Sequence, residues 1–177
     1  MKKTLSLLAV IALTSACASN DVANNSEAPA LSISFADPAW NGINLPAGQQ
    51  CKKNGGKGST PAMTVSNVPA GTVELQVEYS DISWEGGKGG FHGIVGHTHT
   101  GGNKASLVSV PGDIVTGYPQ GTRLVKANRG FGAWKIHKGY MPPCSTKKQT
   151  HTYEAKVFAI DVNGKQLAEG KIQLAKY

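Results

Sequence analysis

The chain has 177 residues, 40% of them hydrophobic and 16% charged, with a formal net charge of +7. That length supports one ordinary domain with its own core. Only Phe131 and Trp134 lie among the basic residues Arg123, Lys126, Arg129, Lys135 and Lys138, too few stacking platforms for a nucleic-acid binder, so the charge points to a solvated surface or an anionic partner.

Residues 1–18 read as an export signal: Lys2 and Lys3 form the positive end, residues 5–13 the apolar stretch, and small residues follow. The apolar run is too short to stay in a bilayer as a spanning helix. Two processing routes stay open at Cys17. Cleavage after Ala18 gives a periplasmic or secreted product, and a lipoprotein-like box gives a chain anchored to the outer membrane through Cys17. The expected location is the bacterial cell envelope, periplasmic or lipid-anchored to the outer membrane, with secretion as the further option, and membrane is touched only through such an anchor. Residues 19–30 are small, polar and unpatterned, as in a flexible linker, and residues 31–177 form the single expected domain.

Residues 31–35 alternate and predict the first strand. Residues 37–59 are rich in Gly, Pro and Asn and predict a loop carrying Cys51. With Cys144, Cys51 makes an even pair, which predicts one disulfide in an oxidising compartment. Neither cysteine has a second cysteine or a histidine at close ligand spacing, which speaks against a metal site there. Residues 63–68 predict a short strand and residues 69–72 a turn. Val73, Leu75, Val77 and Tyr79 then alternate with Glu74, Gln76 and Glu78, a strand with one buried face. Residues 86–90 are glycine-rich, residues 91–96 form a short apolar strand, and residues 97–102 read as a polar loop. Residues 106–110 are a weaker strand candidate. Residues 112–144 read mostly as loop, and a loop that long is expected to be functional or crosslinked. Residues 153–162 give the clearest strand. Asn163-Gly164 signals a two-residue hairpin, and residues 171–174 lie on its return strand. No extended 3.6-residue apolar pattern follows the signal, so the expected class is a mainly β sandwich with long loops and little helix.

Several of these pieces, in this order, resemble the phosphatidylethanolamine-binding protein family, in particular its short bacterial members. Cys51 followed by Ser59-Thr60-Pro61-Ala62-Met63 is similar to the family's opening Cys and S-P-x-L-x-W. Val68-Pro69-Ala70-Gly71-Thr72 is similar to its V-P-x-G-T turn, and Phe91-His92 with Ile94-Val95 to its W-H-W-V-V strand. Asn128 to Gly132 resembles N-D-F-G, Gly139-Tyr140 with Pro143-Cys144 resembles G-Y-G-G-P-C, and His151, Tyr153 and the following strand resemble H-R-Y-x-F-x-x-Y-A-L-D. The likeness covers residues 48–161 and the last strand. The family's D-P-D-x-P falls on Tyr79-Ser80-Asp81-Ile82-Ser83, where only Asp81 is kept. The aromatic before the strand histidine is Gly90 here, and the arginine after the loop histidine is Thr152.

The resemblance implies a PEBP-like β-sandwich with a small anion pocket at the sheet rim. Carried over position by position, the ligand-binding candidates are Asp81, His92, His151 and Tyr153, with the Pro142-Pro143 backbone as wall. Two imidazoles and a phenol can donate to phosphate oxygens, and Asp81 can orient an imidazole or hold an amine. The same residues also fit packing and turn capping. The implied ligand is a small anion or a phosphorylated lipid head group. No cofactor is expected, and no hydrolase nucleophile motif such as G-x-S-x-G is present. Two other readings remain. The scaffold can present its basic loop, 123–138, to a protein partner as an inhibitor module. His92, His97 and His99 can hold a divalent metal only if a bulge near Gly93 or Gly96 brings them to one side.

Overall fold

The computed structural model describes residues 30–84, 90–146 and 149–177. The export signal, Cys17 and nearly all of the linker lie outside these residues. Among the described residues no helix is long and apolar enough to cross a membrane.

Among the described residues, eight strands form two antiparallel sheets. The smaller has order β1-β2-β5, from Ser32–Phe35, Met63–Ser66 and Lys104–Leu107. The larger has order β6-β4-β3-β7-β8, from Thr122–Lys126, Gly90–Thr98, Thr72–Asp81, Thr152–Asp161 and Gln166–Lys176. Among the described residues helix is limited to two single 3-10 turns, Lys52–Asn54 and Gly132–Trp134. The expected mainly β class is what the chain adopts. Met63, Val65 and Leu107 of the small sheet close a core with Leu75, Val77 and Val157 of the large one. The alternation read along β3 works through this packing, because every second side chain enters the shared interior.

Local irregularities correct the sequence expectations. The register shifts between Thr72 and Glu74, so Val73 leaves the core face and is 42% exposed, while Leu75, Val77 and Tyr79 are buried. His97 and Thr98 extend β4 instead of opening a polar loop, and His97 and His99 are both buried. The strand near Ser106 starts earlier, at Lys104. Strand β6 was not expected inside the long 112–144 loop. It is a short strand at one end of the large sheet whose residues are at most half-buried, so no clean alternation marks it. The last hairpin closes on an Asp161 N–H to Lys165 carbonyl bond of 3.0 Å, with Gly164 at φ +79°, so its loop is longer than two residues.

Tertiary bonds hold the remaining loops against the sheet. Cys51 and Cys144 form the expected disulfide, with Cα atoms 5.2 Å apart across 93 positions of sequence. The Cys51 N–H donates to the Pro143 carbonyl at 2.9 Å, and Asn54 Nδ2 donates to the Ser145 carbonyl at 2.8 Å. The Gly139 carbonyl accepts from the backbone N–H and the Nδ2 of Asn128, at 2.9 and 3.0 Å. Gly139 sits at φ +55°, and a Cβ there would lie 1.9 Å from the Ile114 carbonyl oxygen, so only glycine fits.

Candidate functional site

Adjacent strand ends bring the candidate residues to one rim of the large sheet. Asp81 ends β3 and pairs in register with Tyr153 of β7 on one side and Gly90 of β4 on the other. His151 stands just before β7. Its backbone exchanges two hydrogen bonds with Tyr177, N–H to carbonyl at 2.8 Å and carbonyl to N–H at 2.9 Å. Those bonds fix where the imidazole starts, and Asp81 fixes where it points. His151 Nδ1 lies 2.5 Å from Asp81 Oδ2, and Asp81 Oδ1 accepts the Ser83 N–H at 3.0 Å. A carboxylate can only accept, so Nδ1 carries the proton and Nε2 is left for another partner.

His92 arrives by a different route. Tyr79 of β3 pairs with Gly93 of β4, but Ser80 pairs with Phe91, so His92 is the extra residue of a β-bulge. The bulge interrupts the alternation and buries His92 beside Tyr153. Gly93 permits this at φ +121°, where a Cβ would lie 3.2 Å from the Lys126 carbonyl and 3.3 Å from that of Gly139. His92 Nδ1 donates to the Met141 carbonyl at 2.7 Å. Burial lowers this imidazole from its ordinary value to about 4, so the ring is neutral near pH 7 and its Nε2 carries a lone pair.

Asp81, His92 and His151 all line one cleft, which is open to solvent. Pro142, Pro143 and Tyr153 stand behind its wall. Pro142 packs against Gly58 and Gly112, and the Pro143 carbonyl is taken by Cys51. The Tyr153 hydroxyl accepts the Cys144 N–H at 3.1 Å, and its ring meets His92 edge-on at 5.3 Å. Burial pushes the Tyr153 phenol well up, so it stays protonated. Met141, Cys144, Ser145 and Thr146 supply the wall that was expected from the prolines.

The aromatic side of the cleft was not anticipated from sequence. Trp84, Phe91, Phe131 and Trp134 line it, with Trp84–Phe131 and Phe131–Trp134 centroids 5.7 and 6.0 Å apart. The 3-10 turn at Gly132–Trp134 starts at the last residue of the segment that resembles N-D-F-G and carries Trp134 round to Phe131. Three cations stand over these rings. Lys53 Nζ is 4.7 Å from the Trp134 centroid, while Lys126 and Arg129 are 5.4 and 5.5 Å from that of Phe91. Arg129 itself lines the cleft. The result is a cavity with apolar flanks, hydroxyl and imidazole groups inside and positive charge around the mouth.

The histidine trio named for a metal does not assemble into a ligand group among the described residues, despite the bulge at His92. His99 Nε2 bonds the Gly102 carbonyl at 3.0 Å, and burial lowers His97 to about 4. A different imidazole, His137, lies against the disulfide, with Nε2 3.6 Å from Cys144 Sγ. Sequence spacing did not reveal this contact, because the 3-10 turn and the following bend return the chain to Cys144.

A family profile described as phosphatidylethanolamine-binding protein matches residues 19–176. Among solved structures, YbcL of E. coli, described as a member of the mammalian PEBP family, is similar at 19% identity and a TM-score of 0.58. That match covers 84% of this chain and 98% of the other. A phosphatidylethanolamine-binding protein homolog from Chlamydia trachomatis is similar at 18% identity and a TM-score of 0.54, covering 84% of this chain and 97% of the other. Among curated proteins no relative matches.

Proposed function

The chain belongs to the phosphatidylethanolamine-binding protein family, and on that footing we propose that it is a non-catalytic binding protein of the bacterial cell envelope whose ligand is a small anion or a phosphorylated head group. One observation carries the reading: an imidazole aimed by a carboxylate, His151 on Asp81, opens with His92 into a single cleft whose mouth holds Arg129.

The chemistry of each group supports it. Asp81 holds His151 through Nδ1 and so leaves Nε2 as the ring atom that can meet a phosphate oxygen or its proton. His92 is neutral with a lone pair on Nε2, so it suits the protonated oxygen of a monohydrogen phosphate better than a bare anionic one. Ser145 and Thr146 line the same wall. Arg129, Lys126 and Lys53 add an attractive field around the entrance. The aromatic flank gives an organic substituent on the phosphate an apolar surface to lie against. The envelope location rests on the signal-like residues 1–18 and on a disulfide that oxidising compartments favour.

Calorimetry with inorganic phosphate and with glycerophosphoethanolamine tests the reading. We expect saturable binding that His151→Ala weakens at least tenfold. Absence of binding to the wild-type protein would overturn it.

A second reading, a module that presents its basic loop to a protein, is favoured by one feature. Phe131 and Ile136 are 55% and 49% exposed between Arg129, Lys135 and Lys138. Apolar side chains set among exposed cations suit an acidic partner surface. Capture of that partner should fail when Lys126, Arg129 and Lys135 are reversed in charge, and unchanged capture removes this reading.

A further inference from the structure

We propose that reduction of the Cys51–Cys144 bridge turns these two sulfurs, together with His137, into a binding site for a thiophilic metal ion. The site is distinct in chemistry from the anion cleft and does not depend on that reading.

The three ligand atoms already stand together. Cys51 Sγ, Cys144 Sγ and His137 Nε2 all lie within 4.8 Å of one another, and all three residues are buried. The contact between Cys144 Sγ and His137 Nε2 is 3.6 Å. Bond lengths of about 2.3 Å to sulfur and 2.0–2.1 Å to nitrogen at a tetrahedral angle place two ligand atoms about 3.6 Å apart. The imidazole therefore already has the separation from one sulfur that a shared ion requires. The second sulfur needs only the swing that breaking the bridge allows.

The outer groups match as well. His137 Nδ1 donates to Asp113, 2.9 and 3.1 Å from its two oxygens. That fixes the tautomer and leaves the Nε2 lone pair on the side of the sulfurs, the carboxylate–histidine–metal arrangement. Asp113 is itself held. It accepts the Lys138 N–H at 3.0 Å, sits 3.6 Å from Lys52 Nζ and occupies the left-handed region at φ +63°. Packing alone requires neither a locked carboxylate behind a fully enclosed imidazole nor a lone pair aimed at sulfur. Because Cys144 also lines the cleft, a fourth ligand can reach the ion from that side. Two thiolates and one imidazole suit three-coordinate Cu(I), or Zn(II) with a water in the open position.

The conversion balances with a dithiol as reductant. A dithiol thiolate attacks Cys144 Sγ and the Cys51–Cys144 bond breaks. The second dithiol sulfur then displaces Cys144, and the reductant leaves as its own disulfide. Two electrons and two protons pass to the cysteines. Metal binding then releases the two thiol protons.

The test uses the full chain, reduced with a dithiol under argon and freed of it. Co(II) is titrated as a spectroscopic stand-in for Zn(II), and Cu(I) in competition with a chelator. We expect one ion per chain with sulfur-to-cobalt charge-transfer absorption, at least a hundredfold weaker binding by the oxidised protein, and a rise in the melting temperature of the reduced one. His137→Gln should lower affinity at least tenfold, and Asp113→Asn should lower it by about 10–100-fold. Equal binding by oxidised and reduced protein overturns the proposal. So does a His137→Gln variant that binds like wild type, as the bare thiols of an unfolded chain would. A reduced chain that loses its fold and does not regain it with Zn(II) overturns it too.

Discussion

Asp81 and His151, 70 positions apart in sequence, meet through a hydrogen bond of 2.5 Å between Oδ2 and Nδ1. The bond joins the end of β3 to the residue before β7, so the same contact that shapes the cleft also ties two strands. Asp81→Asn should release the ring. In nitrogen NMR of the neutral imidazole, His151 should carry its proton at Nδ1 in wild type and lose that preference in the variant. Unfolding should become easier by about 1–3 kcal/mol, the cost of disturbing a buried donor. An unchanged tautomer would contradict the assigned bond.

Acid should weaken the fold through His92 and His97. Burial holds both at about 4, below the ordinary 6.5 of an unfolded chain. Between those values the unfolded state binds more protons, so stability rises with pH through that window and falls as pH drops from 6.5 toward 4. The loss is on the order of 3 kcal/mol for a group shifted this far. Urea midpoints at pH 7 and pH 4.5 read it directly. His97→Phe should flatten the dependence, since His97 Nε2 has no hydrogen-bond partner among the described residues to forfeit.

Removing the crosslink should cost more than any surface change. The bridge spans 93 positions, and loop-closure entropy for that length corresponds to roughly 4–5 kcal/mol. The double variant Cys51→Ser with Cys144→Ser should unfold at distinctly lower denaturant. A midpoint within error of wild type would mean that the loops hold each other without it.

Gly139→Ala should be severe for its size. The new methyl would meet the Ile114 carbonyl oxygen, and the backbone there has φ +55°. A left-handed L-residue alone costs about 1–2 kcal/mol, and the backbone clash adds to that. Chemical denaturation should show a loss of several kcal/mol, whereas Gly117→Ala, which meets nothing within 4 Å, should cost only the strain of its own φ of +71°.

Strands whose one face is buried were legible, as β3 and β7 show, because period-two burial writes itself into the residue order. Strand β6 was not, since half-buried Thr122–Lys126 carries no such contrast. Asp81 and His151 could be named from motif order. The inward turn of His92 left no mark in the residue order, because it depends on one extra residue against Tyr79 and Ser80. The aromatic wall escaped entirely. Trp84, Phe131 and Trp134 lie outside the strands, where no periodicity relates them and only the folded path brings their rings together. His137 and Asp113 were hidden for the same reason, 24 positions apart and joined across a bend.

Among the described residues, Lys53, Lys126 and Arg129 rest on rings and not on carboxylates. A π face steadies a cation without cancelling it, whereas an acid would erase its reach into the surrounding water. Their monopoles therefore extend outward to about a Debye length, roughly 8–10 Å at ordinary ionic strength. Added salt should slow the arrival of a negatively charged guest while leaving its dwell time nearly untouched.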